Sequence, residues 1–378
     1  MKHIYVWLLA VLLVLVLIPV GCGTNDTGTN DTGTNDTGDE EEVINKVFVR
    51  FSSPFAAHPF FGDIAKGMEE GTEFIKERHG IEVDFSVADA QGSLEQLILD
   101  VETFIAQGVD SIFMINLNPP TTKTLINEIQ SAGIKVGIGG QRSGGEDLHF
   151  GLEDYNGAYV VALEVGKWIK DNLNSKGIPG RVLLVNQPTT ETMRARTAGF
   201  TDGLRDSGCD FEIVVQLEVS LPNQDVVQPQ VEDALTAYPD LNVFLGPNDD
   251  CNRAYIEAAK GAGLTDGEYI IAGTGLDVAS IPTFISGTTA YKISYMAFPV
   301  YGGNFIMHAV VANILGVIEK NPDGTPYSVI LPGTLVTPDT LQEYYYQGAG
   351  GEWVENTEVI EALMLQNPTA AKIIEFQK

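Results

Sequence analysis

VDFSVADAQGSLEQLILDVETFIAQGVDSIFMIN, Val83–Asn116, decides the fold. Val83 to Ala88 reads as a strand. Leu94, Leu97, Ile98, Val101 and Phe104 then fall on one face of a helix. Ser111 to Ile115 is a second short β-rich run. Strand, helix and strand in this order form a βαβ unit, which joins parallel strands.

The rhythm extends both ways. Upstream, Ile44 to Phe51 predicts a strand, and Ile64, Met68, Gly71 and Ile75 a helix. Downstream come a helix at Thr124 to Ala132, a strand at Val136 to Ile138, and a short strand at His149-Phe150-Gly151. After Gly151 the series restarts. Helices are predicted around Val160 to Ile169, Glu191 to Leu204, Val226 to Leu235, Asn252 to Ala262 and Ile281 to Ile285. Strands alternate with them at Arg181 to Val185, Ile213 to Leu217, Val243 to Leu245, Ile270-Ile271 and Tyr291 to Ser294. An apolar helix follows from Tyr301 to Ile318. The strand spacing of roughly 25 to 36 residues suits a parallel sheet. The folded part, about 335 residues, exceeds one ordinary core and predicts two α/β lobes. A closed (β/α) barrel needs eight units on one axis, and the stretch from Gln141 to Leu152 interrupts that repeat.

The N-terminus reads as an address. Met1-Lys2, an apolar run from Ile4 to Val20 and then Gly21-Cys22 have the order of a secretory signal. The segment 1–21 is expected to be removed. The boundary cysteine is similar to a bacterial lipobox, with Pro19 where that pattern usually has Leu. On this reading Cys22 carries the lipid. The alternative, a single spanning helix, has about seventeen apolar residues, at the short end for a span, and no basic cluster after it. Residues 22–42, with a repeated Gly-Thr-Asn-Asp-Thr, have nothing that could enter a core and read as a disordered tether. The remainder is therefore expected outside the cytoplasm, anchored to a bacterial membrane.

The formal charge of −29, from 51 acidic and 22 basic residues, argues against nucleic acid as a partner. Of three cysteines, Cys209 and Cys251 are read as unpaired small hydrophobes. No Cys/His metal spacing, P-loop, HExxH or G-x-S-x-G elbow is present, so no metal and no cofactor is expected.

Several local patterns then stand before or after the predicted strands, or at a helix start, in a recognisable order. They are Ser53-Pro54-Phe55-Ala56-Ala57-His58-Pro59-Phe60-Phe61, Asp89-Ala90-Gln91-Gly92, Gln107-Gly108-Val109-Asp110, Ala132-Gly133-Ile134-Lys135-Val136, Met193 to Phe200, Tyr238-Pro239-Asp240 and Asn248-Asp249-Asp250. Leu276-Asp277 completes the series. In this order the chain resembles the type I periplasmic binding proteins of ABC importers, the ribose, galactose and xylose binders. The resemblance implies two open doubly wound, Rossmann-like parallel-sheet lobes joined by a three-segment hinge. Lobe 1 would be 43–152 plus 297–327, and lobe 2 would be 153–296 plus 328–345. The segment 346–378 would be a C-terminal extension longer than the family pattern. Within the longer stretch Thr334 to Lys378, Leu341, Tyr344 and Tyr345 suggest a helix packing back on a lobe.

Ligands of open α/β sheets bind beyond the carboxyl ends of the strands. His58, Asn248, Asp277 and the Gln141-Arg142 pair all follow predicted strands. Sugar hydroxyls call for charged or planar hydrogen-bonding groups and the apolar sugar faces for aromatic surfaces. The resemblance carries Arg196, Asn248 and Asp277 over as hydrogen-bonding residues and Phe60 and Phe61 as stacking residues. By residue type alone an Asn or Asp after a strand is a turn or helix cap. His58, Gln141, Arg142 and Tyr295 depart from the pentose pattern, and Glu191 and Thr192 stand where they could supply polar contacts. His79, His149 and His308 read as surface or core residues. The expected function is capture of a pentose or hexose by a monomer that delivers it to an ABC permease, without catalysis. Alternatives are presentation of a sugar or signal molecule to a chemoreceptor or sensor kinase and, less favoured, a surface sugar-active enzyme.

Overall fold

The computed structural model describes residues 44–116 and 118–378. The expected signal, Cys22 and the tether lie outside the described residues.

The first sheet begins with β1 (Lys46–Ser53), followed by α1 (Pro59–His79), β2 (Glu82–Asp89), α2 (Leu94–Gln107), β3 (Ser111–Ile115), α3 (Pro119–Ser131), β4 (Lys135–Gly139) and β5 (Leu148–Leu152). The second series is α4 (Asp154–Asn172), β6 (Gly180–Asn186), α5 (Glu191–Ser207), β7 (Phe211–Glu218), α6 (Gln224–Ala237), β8 (Val243–Gly246), α7 (Asp249–Gly261), β9 (Ile270–Gly275), α8 (Ile281–Ile285) and β10 (Tyr291–Ala297). The chain then returns to the first lobe as α9 (Pro299–Ile314) and β11 (Tyr327–Leu331), and to the second as β12 (Gly333–Val336).

The sheets have the orders β11-β5-β4-β3-β1-β2 and β12-β10-β9-β8-β6-β7. Within these two sheets all pairings are parallel except β10 with β12. This is the two-lobed α/β architecture that the sequence predicts. β4 and β5 are parallel neighbours with no helix between them, which is the interruption seen at Gln141 to Leu152. β11 pairs with β5 of the first sheet, so the first lobe extends to Leu331, past the expected division after residue 327, and the third crossover falls at Pro332.

Helix α9 is buried almost all round, the mark of a helix covered on every side. Gly67 of α1 and Gly303 of α9 let these helices touch backbone to backbone. A Cβ on Gly67 would collide with the Val300 carbonyl, and one on Gly303 with that of Ile64.

The C-terminal segment supplies the remaining cover. After β12 comes a 3₁₀ turn at Leu341–Glu343, then β13 (Tyr345–Gln347), β14 (Trp353–Glu355), α10 (Thr357–Met364) and α11 (Ala371–Gln377). The helix suggested by Leu341, Tyr344 and Tyr345 is replaced by this turn and an antiparallel hairpin. Consecutive aromatic residues favour strands, and Gly348, Gly350 and Gly351 form the turn between them. In α11, Phe376 stacks on His79 of α1 with ring centroids 4.2 Å apart. Burial among apolar neighbours holds the His308 imidazole down at about 4.

Candidate functional site

The carboxyl ends of both sheets face one cleft. From the first lobe, the β1–α1 loop delivers His58, whose backbone is extended just before the helix. Its Nδ1 accepts a hydrogen bond from the Phe60 N–H at 3.2 Å. A nitrogen that accepts carries no proton, so in the neutral ring the N–H lies on Nε2. That nitrogen lies 3.6 Å from Asp250 Oδ2 of the second lobe. Phe61 packs near the imidazole, centroids 5.5 Å apart, and Phe60 meets Phe61 edge-on. Both phenylalanines are half-buried against the core. Asp89 accepts from Ala56 N at 3.1 Å and Gln91 N at 3.0 Å, tying the β1 and β2 loops together.

From the second lobe, α7 begins with Asn248 as its cap. Asn248 Oδ1 accepts from Cys251 N at 3.0 Å and Nδ2 donates to Pro222 O at 2.8 Å. Arg253, one turn on, donates to Asp250, to both oxygens of Asp277 at 3.3 and 3.1 Å and to Ser280 Oγ at 2.7 Å. The Asp277 side chain is fully buried. It follows Leu276, whose φ of 60° is left-handed for a non-glycine residue, a conformation costing about 1 kcal/mol or more. Asp277 N donates to Asp249 Oδ2 at 2.9 Å, so this strained turn is held from below.

The cleft is acidic. Burial pushes the Asp249 carboxyl well up, and the charge of Asp277 adds to it. Asp63 of α1 rises to about 6, first through burial and then through Asp277 across the cleft. For Asp250, burial acts upward but is outweighed by His58 and Arg253, leaving its carboxyl below the ordinary value. Burial opposes the charge of Arg253, but Asp277, Asp250 and Asp249 around it outweigh that and hold the guanidinium firmly protonated.

The structure thus joins His58, through Asp250 and Arg253, to Asp277. Arg196, Gln141, Arg142, Glu191, Thr192 and Tyr295 are not bonded to this series. Arg196 is occupied by Asp154 Oδ1, 2.9 Å from Nε, and by Pro247 O, 2.6 Å from Nη1. It ties α5 to the first crossover and to the start of α7. Glu191 is exposed and Thr192 half-buried in the first turn of α5. Gln141 offers its carbonyl to Asn116 Nδ2 at 2.7 Å. Arg142 is exposed beside Glu146. Tyr295 donates to Glu153 Oε2 at 2.6 Å and lines a separate groove of about 710 Å³ with Leu163, Lys167 and Leu335.

Arg253, Asp250, Asp249 and Asp63 were not among the sequence candidates. The Asp250/Arg253 pair has the i, i+3 spacing of a helical ion pair, which was a usable signal. Asp63 had none, because its partner lies across the cleft. Cys209 and Cys251 are free thiols. Among the described residues no helix is long and apolar enough to cross a membrane.

The profile described as "Periplasmic binding protein domain" matches residues 48–312. The chain belongs to this family. The match spans both lobes and ends in α9. The ABC transporter periplasmic-binding protein YphF of Escherichia coli is 22% identical over 265 residues, covering 68% of this chain and 77% of YphF. Among solved structures, an ABC transporter solute binding protein from Bacillus halodurans with bound myo-inositol superposes with a TM-score of 0.68 at 18% identity, covering 80% of this chain and 98% of that one. A 5-methylthioribose transporter solute binding protein from Thermotoga lettingae gives 0.69 at 16% identity, covering 88% and 96%. An Actinobacillus succinogenes protein with bound D-allose gives 0.67 at 18%, covering 79% and 100%.

Proposed function

We propose that this periplasmic binding protein captures one monosaccharide or similar small polyol between its lobes and delivers it to an ABC permease, without chemical conversion. The observation that carries this reading is the polar series His58–Asp250–Arg253–Asp277, which starts in the first lobe, where Phe61 packs by His58 and Phe60 by Phe61, and ends in the second. Carboxylates and a guanidinium held in place supply charge-assisted hydrogen bonds to hydroxyls. Aromatic rings cover the apolar sugar faces. A ligand touching both sides favours the closed arrangement by its differential affinity. The ligands bound by the solved relatives, myo-inositol, D-allose and 5-methylthioribose, are small polyhydroxylated rings.

In this reading Asp277 and Arg253 hydrogen-bond the ligand, His58 and Asp250 close over it, and Phe60 or Phe61 stacks on it. Asn248 and Arg196 hold the second-lobe wall in shape. Gln141, Arg142, Glu191, Thr192 and Tyr295 have no assigned contact. The protein acts outside the cytoplasm, as a monomer, held to its membrane by lipid on Cys22.

A thermal-shift screen of pentoses, hexoses and myo-inositol tests the reading. A binder at about 100 times its Kd stabilises the folded state by about 2.7 kcal/mol, so one sugar class raises the Tm by several degrees. The rise disappears in Asp277→Ala. No rise from any member of the panel overturns it.

A further inference from the structure

The C-terminal hairpin does more than cover α9. It meets the hinge from both sides. Glu355, only 5% exposed, reaches back 55 residues to the start of α9. Its Oε1 accepts from Val300 N at 3.1 Å and its Oε2 from Tyr301 N at 2.6 Å. Helix α9 has no side-chain cap of its own at Phe298. The first amides of a helix have no intrahelical partner and carry its positive end, so a carboxylate from outside the helix takes the place of a cap. Those amides lie immediately after the second crossover, between Ala297 of β10 and Pro299 of α9.

The same hairpin holds the crossover itself and the far lobe. Tyr344 packs its ring 5.8 Å from that of Phe298. Its hydroxyl accepts from Thr334 Oγ1 of β12 at 3.4 Å. Tyr345 donates its hydroxyl to Glu355 Oε1 at 3.1 Å. Past the hairpin the chain is fixed to the first lobe, where Asn367 Nδ2 donates to Ile330 O at 3.0 Å and Gln377 Nε2 to Asn304 Oδ1 at 3.3 Å. After three crossovers the chain therefore makes a fourth passage between the lobes, and Glu355 sits at its contact with the pivot.

We propose that Glu355 is a positioning residue for lobe closure: through Val300 and Tyr301 it braces the second crossover and favours the arrangement in which His58 meets Asp250. Rotation of the lobes changes backbone angles at a few hinge residues. Fixing the amides on one side of the pivot and the Phe298 ring on it restricts those angles. The apparent affinity for a ligand falls in proportion to the population of the competent arrangement, so loss of the brace weakens capture without touching a ligand contact. The proposal builds on the two-lobe capture reading, but its test needs no ligand.

Spin labels on Lys66→Cys in α1 and Lys260→Cys in α7, both exposed lysines, report the interlobe distance in the ligand-free full chain, with Cys22 and Cys209 replaced by serine. Double electron–electron resonance is compared between this protein, Glu355→Ala and the isosteric Glu355→Gln, with Tm measured alongside. The expected result is a shift of the distribution to longer distances in both variants, larger in Glu355→Ala. Glu355→Gln keeps one acceptor and the packing, so it remains a fair test where Glu355→Ala does not fold. An unchanged distribution in folded Glu355→Gln, with or without a lower Tm, overturns the proposal and leaves Glu355 a helix cap alone. Failure of every sugar to bind would leave this result standing.

Discussion

His58 Nε2 and Asp250 Oδ2, 3.6 Å apart, form the one contact of a basic side chain with a carboxylate among the described residues that joins the first lobe to the second. Both side chains keep partial exposure, 26% and 18%. Such pairs contribute about 1 kcal/mol or less. His58→Ala is therefore expected to weaken ligand binding by about fivefold at most, with little change in Tm. Calorimetric titration of the sugar found in the screen checks this. A hundredfold loss would make His58 a principal ligand contact and not a closing residue.

Asp277 carries more. Its side chain is fully buried and its charge is met by Arg253. Asp277→Asn removes the charge while keeping shape. Hydrogen bonds to a charged group contribute about 1.5–3 kcal/mol each, so binding should weaken about 10- to 100-fold. Arg253→Met leaves the carboxylate buried without its partner and should cost about 3–5 kcal/mol of stability. Equal Tm for Arg253→Met and the parent would contradict the network.

Arg196 is expected to behave as framework. Its guanidinium joins Asp154 in the first turn of α4 to the Pro247 carbonyl before α7. Arg196→Met should destabilise the fold by about 3 kcal/mol, read as a lower urea midpoint with an unchanged slope. A variant of full stability that binds no sugar would return Arg196 to the ligand site.

Acid groups set the pH response. Burial lifts Glu355 to about 7, with Asp63 adding to the rise and the Tyr301 and Val300 amides and the Tyr345 hydroxyl opposing it. Burial, with the charge of Asp277 adding to it, lifts Asp63 to about 6, with Lys66 and the Val278 backbone opposing. A carboxyl whose folded pKa is raised binds its proton more tightly than in the unfolded chain. Its contribution is fully present below the unfolded value and is lost as pH rises through the folded one. Tm should therefore rise as pH is lowered from about 8 to about 6. His308, held down at about 4 by burial, acts oppositely, since the unfolded imidazole protonates first. The gain per pH unit should thus be smaller below about pH 6.5 than above it. Glu355→Gln should flatten the slope between about pH 6 and 8. A Tm independent of pH over that window contradicts the assignment.

The fold was legible because its elements are local. The stripe from Leu94 to Phe104 and the run from Ser111 to Ile115 identify themselves by period alone, and they form α2 and β3. The site was legible only in part. Asp277 follows its strand, as the crevice rule requires, and His58 opens α1. Arg196 could not be assigned from sequence, because an arginine at a helix start looks the same whether it meets a ligand or a distant carbonyl. Glu355 was invisible, since its partners lie 54 and 55 residues away in sequence. One clue stood in the open: Val300 to Ile314 is largely apolar, broken only by Asn304, His308 and Asn313 among its strongly polar side chains, and such a helix requires a cover. The C-terminal segment is that cover.

Native mass spectrometry of the purified protein, alone and with pentoses, hexoses and myo-inositol, tests the central claim most directly. The account predicts one added mass per chain, equal to a single monosaccharide-sized polyol, lost in Asp277→Ala while that variant keeps its fold. No adduct from the whole panel, or an adduct retained by Asp277→Ala, would contradict it.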